Sequence, residues 1–315
     1  MPIFAGDPGA TAPNFTSPAT TSHVDVVPYI SCQEFIEEPT AVDVTELTPG
    51  ATAAVNLQQL ANVIARASGW ANTICGQILA ATPDTQMASR LYVRRDGTVW
   101  VPCDFWPIRQ VDSFLAGPTP STLAAVTGTA DIWLAGDKVL VVPVFGISPS
   151  GPSPMPFGGI QPGTRVYARW TYWNGWFHST LAGAVAAGAV TLPLTTALPA
   201  SAAGATMTIV DSALEETVQV ASTFTGGTAL PLAAPCVNAH TPGALPNSIT
   251  VTELPPNVRQ AVVNLTSALI KVRGTEAEVM EDVGQQPSKT ALIESGGLDD
   301  YQVAVDLLDR YQRTV

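Results

Sequence analysis

The chain is short of charge, and of positive charge above all. Only 13% of its 315 residues are charged, with 14 Lys and Arg against 26 Asp and Glu, giving a formal net charge of −12. Gripping duplex DNA by its phosphates needs clustered cations, and this composition does not supply them. Such a chain could still line a passage through which DNA slides without sticking. Histidine is scarce as well: His23, His178 and His240 are far apart, and neither His178 nor His240 has an acid beside it at metal-ligand spacing. The four cysteines, Cys32, Cys75, Cys103 and Cys236, include no pair spaced like a zinc knuckle or a CxxC redox site. Reduced, half-buried thiols in a reducing compartment are expected. No run stays apolar for the roughly 18 residues that a membrane-spanning helix needs. The alanine-rich stretch 181–194 is broken by Gly183, Gly188 and Pro193. The first residues show neither the basic stretch nor the apolar run of a secretory leader. A GxSxG elbow, a phosphate loop and an HExxH helix are all missing, so no cofactor and no metal is expected and the chain does not read as an enzyme.

What the sequence does contain is small residues, turn formers and three apolar stripes. Residues 1–27 are rich in Pro, Ser, Thr and Gly and read as a flexible N-terminal arm. SCQEFIEE (31–38) predicts a short helix with Ser31 as N-cap, Glu34 in a capping box and Pro39 as its stop. Next, Leu57, Leu60, Ile64, Ala67, Ala71, Ile74 and Ile78 recur every three or four residues. With Trp70 they predict one long beam over residues 54–81, Trp70 and Ile74 being buried. Cys75, beside the stripe, reads as a small core-edge hydrophobe.

The period then changes to two. RLYVRRDGTVWVP (90–102) alternates about Asp96-Gly97 and predicts a hairpin with a type I′ turn. VDSFLAG (111–117) and DKVLVVPVFG (137–146) predict further strands, and the Pro/Gly-rich stretch 147–163 marks a domain linker, placed at 151–163. Residues 164–253 predict almost pure β structure, with short strands every 8–12 residues as in a small sandwich or barrel. Trp170, Trp173 and Trp176 lie in its first strand, where they serve either as core or as a stacking platform. Asp211, Glu215 and Glu216 surround a turn and read as a solvated loop, without the ligand spacing of an EF-hand.

Helical periodicity returns after Pro255-Pro256 with Val258, Val262, Leu265, Leu269 and Val272. A third stripe follows a polar hinge at 281–290: Leu298, Tyr301, Val305, Leu308 and Gln312. Asp299 and Asp300 at its start and Arg310 at its end suit the helix dipole. The expected class is therefore α+β. A helical core of about three main helices plus a hairpin (28–150 and 254–280) is interrupted by an antiparallel β insertion (164–253) and followed by a hinge and terminal helix (281–315). So much apolar helix face predicts burial against neighbouring copies.

The order of YISCQEFIEEPT, ARASGWANTICGQILAATPDTQ, RLYVRRDGTVWVP, WPIRQV, NVRQAVVNLTSALIKVRG and DLLDRYQR resembles the head-to-tail connector (adaptor) proteins of long-tailed bacteriophages, in the form with a β insertion found in phages of actinobacteria. These pieces cover about half of the chain. The resemblance implies an oligomeric ring, usually of twelve copies, at the head–tail junction of the virion, assembled in the host cytoplasm. Its implied partners are the portal protein, the next neck or tail-completion protein, and genomic DNA that passes through without specific binding. It implies no membrane. The terminal helix would dock into the portal through Leu298, Tyr301, Val305, Leu308, Arg310 and Tyr311, while Leu57, Leu60, Ile64, Trp70, Ile74 and Ile78 form the core of the beam. Three other readings stay open. One is a tail or neck protein whose tryptophan strand binds carbohydrate on a host, another a hydrolase built on His178 or His240, and the third a neck protein one layer further from the portal.

Overall fold

The computed structural model describes residues 27–126, 132–143, 147–148, 151–152, 162–211, 214–243, 248–273 and 297–313. The N-terminal arm up to residue 26, most of the linker and the polar hinge lie outside the described residues. The class is mixed α+β, as expected. Four helices are described: α1 (Cys32–Glu37), α2 (Ala53–Cys75), α3 (Pro256–Arg273) and α4 (Leu298–Leu308), the last continued by a 3-10 turn, Asp309–Tyr311. The strands in chain order are β1 (Thr82–Tyr92), β2 (Thr98–Pro102), β3 (Ile108–Gly117), β4 (Ala124–Ala125), β5 (Trp133–Leu134), β6 (Val139–Pro143), β7 (Ile147–Ser148) and β8 (Gly151–Pro152). They continue with β9 (Arg165–Asn174), β10 (His178–Thr180), β11 (Thr191–Leu198), β12 (Thr206–Val210), β13 (Glu216–Gln219), β14 (Gly227–Pro231) and β15 (Thr250–Thr252).

The helical unit is assembled from both ends of the chain. Ser31 caps α1 by accepting from the Glu34 amide at 3.0 Å. Along α2, Leu60, Ile64, Ala67, Trp70 and Ala71 are buried, whereas Leu57 and Ile74 are half-buried. The expected burial of Ile74 is thus only partial. The helix also stops earlier than its periodicity suggests. Gly76 takes a positive φ of 65°, and Gln77 donates its amide to the Asn72 carbonyl at 3.1 Å while Gly76 reaches Thr73 at 3.2 Å. This is a Schellman ending. Ile78 therefore lies past the helix in a half-buried link, although it continues the spacing of the stripe. Helix α3 lies between α2 and α4, and the three share one core with Tyr29, Ile30 and Phe35.

Two sheets follow α2. One has strand order β1-β9-β3-β4 and the other β2-β6-β5, all antiparallel, and they enclose a second core around Trp170, Tyr172, Val101 and Leu140. The expected hairpin is reduced to its tip. Only Val93 and Val99 bridge across it, because β1 pairs with β9 and β2 with β6. The turn is also of another type. The Arg94 carbonyl accepts from Gly97 at 3.1 Å, and positive φ occurs at Gly97 but not at Arg95 or Asp96. This is the three-residue connection with a glycine in the left-handed position, not the expected type I′ turn. Asp96 Oδ1 accepts from both the amide (3.0 Å) and the hydroxyl (2.7 Å) of Thr98 and locks it.

The third unit is a small sandwich with its own core. A sheet of order β10-β15-β12-β13 and a ribbon of β11 and β14 enclose Leu192, Met207, Ile209, Leu230 and Val251. The boundary expected at residue 164 needs correction. β9 is the central partner of β1 and β3, so it belongs to the preceding sheet unit, and the sandwich begins after it, at β10. The chain crosses between the two at Gly175, with φ of 93°, where a Cβ would stand 2.6 Å from the Ala80 carbonyl oxygen. No larger residue fits that crossing.

Candidate functional site

Catalytic chemistry has two places to look, and neither histidine is placed to perform it. His178 is buried against the segment that precedes α1. One ring nitrogen, Nε2, lies 2.8 Å from the Pro28 carbonyl, and the ring meets Tyr29 edge-on at 5.5 Å. Burial pushes its pKa down to about 4, so it stays neutral.

His240 sits instead among the acids of the β12–β13 turn. Its Nδ1 is 2.9 Å from Asp211 and its Nε2 is 3.3 Å from Glu216, while the ring is completely buried. Glu216 also accepts the amides of Val237 (2.6 Å) and Asn238 (2.9 Å). Burial pushes the Glu216 carboxyl up, but these amides and the histidine outweigh it and hold the group below its usual range. Both ring nitrogens face carboxylates, so neither is available to a substrate or a metal. Among the described residues no group of three His, Cys, Asp or Glu could hold a metal ion. The trio acts as a strut that ties the loop 236–240 to the hairpin. Sequence spacing hides it, because 24 and 29 residues separate the partners.

The thiols are equally unreactive in character. Burial pushes Cys32 up to about 11 and Cys75 and Cys103 up to about 12, and it raises Cys236 too, with Glu216 adding to the effect. At neutral pH all four stay protonated, and it is the thiolate that reacts.

The residues expected to dock into a portal are largely used inside this chain. Leu308 and Tyr311 are buried in the helical core, and Leu298, Tyr301 and Val305 are half-buried, so only Arg310 is exposed. Tyr301 packs edge-on against Trp70 at 5.9 Å. Tyr311 lies between Trp106 (6.3 Å, stacked) and Trp176 (5.3 Å, edge-on). Asp300 accepts from Ser267 and Lys271 of α3, each at 2.6 Å. The expectation that the helices carry more apolar face than one copy can hide is therefore corrected, since α2, α3 and α4 cover one another. What α4 shows to solvent is Asp299, Gln302, Val303, Asp306 and Arg310.

The three tryptophans of the β9 segment do not form a platform. Trp170 is fully buried and stacks on Phe114 at 5.9 Å, Trp173 points to the other face and donates to Asp112 at 3.0 Å, and Trp176 joins the helical core. The exposed aromatic surface lies elsewhere. Trp100 of β2 and Trp133 of β5 are both in register with Val141 of β6, and so share the outer face of that sheet. They are 41% and 51% exposed, and the Arg94 guanidinium lies 3.7 Å from the Trp100 ring centroid. Tyr92, Arg94 and Arg95 are exposed at the same tip. The alternation in 90–102 contains this signal, although the stacking alternative is attached in the sequence to the later tryptophans.

Two of the surface cavities are lined by described residues. One, of about 160 Å³, lies beside β5 and is lined by Ile108, Arg109, Gln110, Val111, Ile132, Leu134 and Leu140. The other, of about 330 Å³, lies under the loop after α1, with Phe35, Ile36, Val42 and Val44 as apolar walls and Glu38 and Asp43 among its polar lining. Ala41 in that loop holds a positive φ of 54°, which costs a non-glycine residue about 1 kcal/mol.

Comparison with protein-family models, with curated proteins and with solved structures gives no match to this chain. Among the described residues no helix is long and apolar enough to cross a membrane.

Proposed function

We propose that this protein is a structural component of a phage virion, a head-to-tail connector that forms a ring under the portal, conducts the genome and offers a platform to the tail. The observation that carries the reading is the helical unit made from both chain ends, with the β units inserted between α2 and α3, in the order of the connector-like segments. Charge supports it too. A ring of twelve copies would carry about 144 negative formal charges, and an acidic bore repels the phosphate backbone of passing DNA. The buried histidines and protonated thiols give no support to a hydrolase.

Docking to the portal falls to the outward face of α4 (Gln302, Val303, Asp306 and Arg310), with the apolar face kept in the protomer. The test is to image the particle neck and to weigh the purified chain with and without portal protein. A ring at the vertex that joins capsid to tail is expected. A virion whose vertex lacks this polypeptide overturns the reading.

A further inference from the structure

Positive charge is distributed unevenly over this acidic chain. Residues 82–174 hold seven Lys and Arg against six Asp and Glu, whereas the remaining residues hold seven against twenty. Within the sheet unit, Arg94 and Arg95 project from the turn between β1 and β2, next to the exposed rings of Tyr92 and Trp100. Asp96, at the same tip, is exposed and ionised with one carboxylate oxygen accepting from Thr98, so the tip presents two guanidiniums, one carboxylate and two aromatic rings, with positive charge in excess. The opposite composition occurs around α1. From Pro28 to Ala65 there are five carboxylates and no cation, and the cavity of about 330 Å³ opens within this stretch. Its apolar walls are Phe35, Ile36, Val42 and Val44, Glu38 and Asp43 are acids of its lining, and Glu46 is exposed nearby.

We propose that the Arg94–Arg95 tip of one copy seats in the acid-rimmed cavity beneath residues 38–45 of the next copy. The contact is heterologous: the projecting part and the receiving part are different surfaces of one chain, so each copy offers one of each. Repetition of such a contact closes into a ring when the rotation between copies allows it. The occupant is a second copy because the two surfaces complement each other in both respects. Guanidiniums meet carboxylates, and exposed aromatic area meets an apolar hollow. Arginine and tryptophan are also the side chains that most often anchor protein interfaces. The proposal rests on the connector reading above and specifies how its subunits meet.

The test reverses charge on each side in the full-length chain. R94E/R95E alters the tip and E38R/E46R alters the cavity rim, and all four positions lie at the surface or its margin. Circular dichroism and the denaturation midpoint check that each variant folds. Assembly is read as mass against concentration, alone and with portal protein. Each double reversal is expected to raise the concentration for half-assembly at least ~tenfold. Mixing the two variants, or combining all four changes in one chain, is expected to restore assembly.

Reversed variants that fold and assemble like the wild type overturn this contact while leaving the connector reading in place. A wild-type chain that stays monomeric even with portal protein overturns both. Selective sedimentation with an insoluble polysaccharide, abolished by W100A/W133A while charge reversal leaves assembly unchanged, overturns the contact in favour of a glycan platform.

Discussion

Arg259, near the start of α3, ties two helices and the sandwich with one guanidinium. It donates from Nε (2.9 Å) and from a terminal nitrogen (2.6 Å) to Glu34 of α1, and it lies 3.6 Å from Glu215 at the sandwich hairpin. Burial pushes the Glu34 carboxyl up, and Arg259 offsets only part of that, so removing the arginine would strand a buried acid. Arg259→Met should lower stability by about 3 kcal/mol, and by much less in a Glu34→Gln background. Denaturant midpoints of the four proteins of that cycle measure the difference. His178 gives a second residue-scale outcome. The unfolded chain binds this proton near pH 6.5, and the folded chain only near pH 4. Between those values the unfolded state holds more protons, so stability falls as pH drops, by up to about 3 kcal/mol from this group. His178→Gln keeps a donor for the Pro28 carbonyl and should flatten that part of the curve. Identical pH profiles for variant and wild type would show that the ring is not held neutral. Cys75, buried but with an unreactive thiol, should tolerate change to alanine at a cost of about 1–2 kcal/mol in thermal unfolding, with assembly unchanged.

At the scale of elements, α4 belongs to the fold before it can belong to an interface. Ala304, Leu308 and Tyr311 are buried against α2, α3 and the Trp106–Trp176 pair. Deleting residues 298–315 should therefore cost about 5 kcal/mol or more and expose core that binds a hydrophobic dye, so a loss of portal binding in that truncation would not locate the docking face. Gln302→Lys with Val303→Ser changes only the outer face and should leave the unfolding midpoint within about 0.5 kcal/mol of wild type. Which elements were legible depended on range. The stripes of α2 and α3 and the alternation of β2, β12 and β15 depend on local spacing and could be read directly. The end of α2 could be misread because Ile78 keeps the apolar period although Gly76 has already turned the chain. The place of β9 was hidden because its partners β1 and β3 are set by non-local pairing. The same holds for the His240 strut, whose acids are near only after β12 and β13 pair.

For the whole molecule, the candidate surfaces sit on units that each have a core of their own. Among the described residues the largest cores are the helical core, the sheet core and the sandwich core. Pins between them are polar and specific. Arg109 donates to the Gly175 carbonyl at 2.9 Å and to Glu253 at 2.8 Å, joining the sheet unit to the approach of α3. Within the helical unit, the Tyr29 hydroxyl donates to Asn72 at 2.6 Å and accepts the amides of Leu79 and Ala80, each at 3.2 Å, fixing the link after α2. With a net charge of −12, the purified protein should give no gel shift of duplex DNA at micromolar concentration in about 150 mM salt, whatever the sequence of the duplex. A shift under those conditions would be inconsistent with a bore that merely conducts the genome.

The Trp106–Trp176 box is filled by Tyr311, whose carbonyl accepts from Gln77, 234 residues earlier in the chain. A ribosome makes a chain in order, so the ring that closes the early helices emerges only after both sheets and the sandwich. Until then a nascent chain can fold its sandwich and sheets but cannot close the bundle that flanks α1. Chains that have not reached α4 therefore lack a completed helical unit, and the order of synthesis sets when that unit can close.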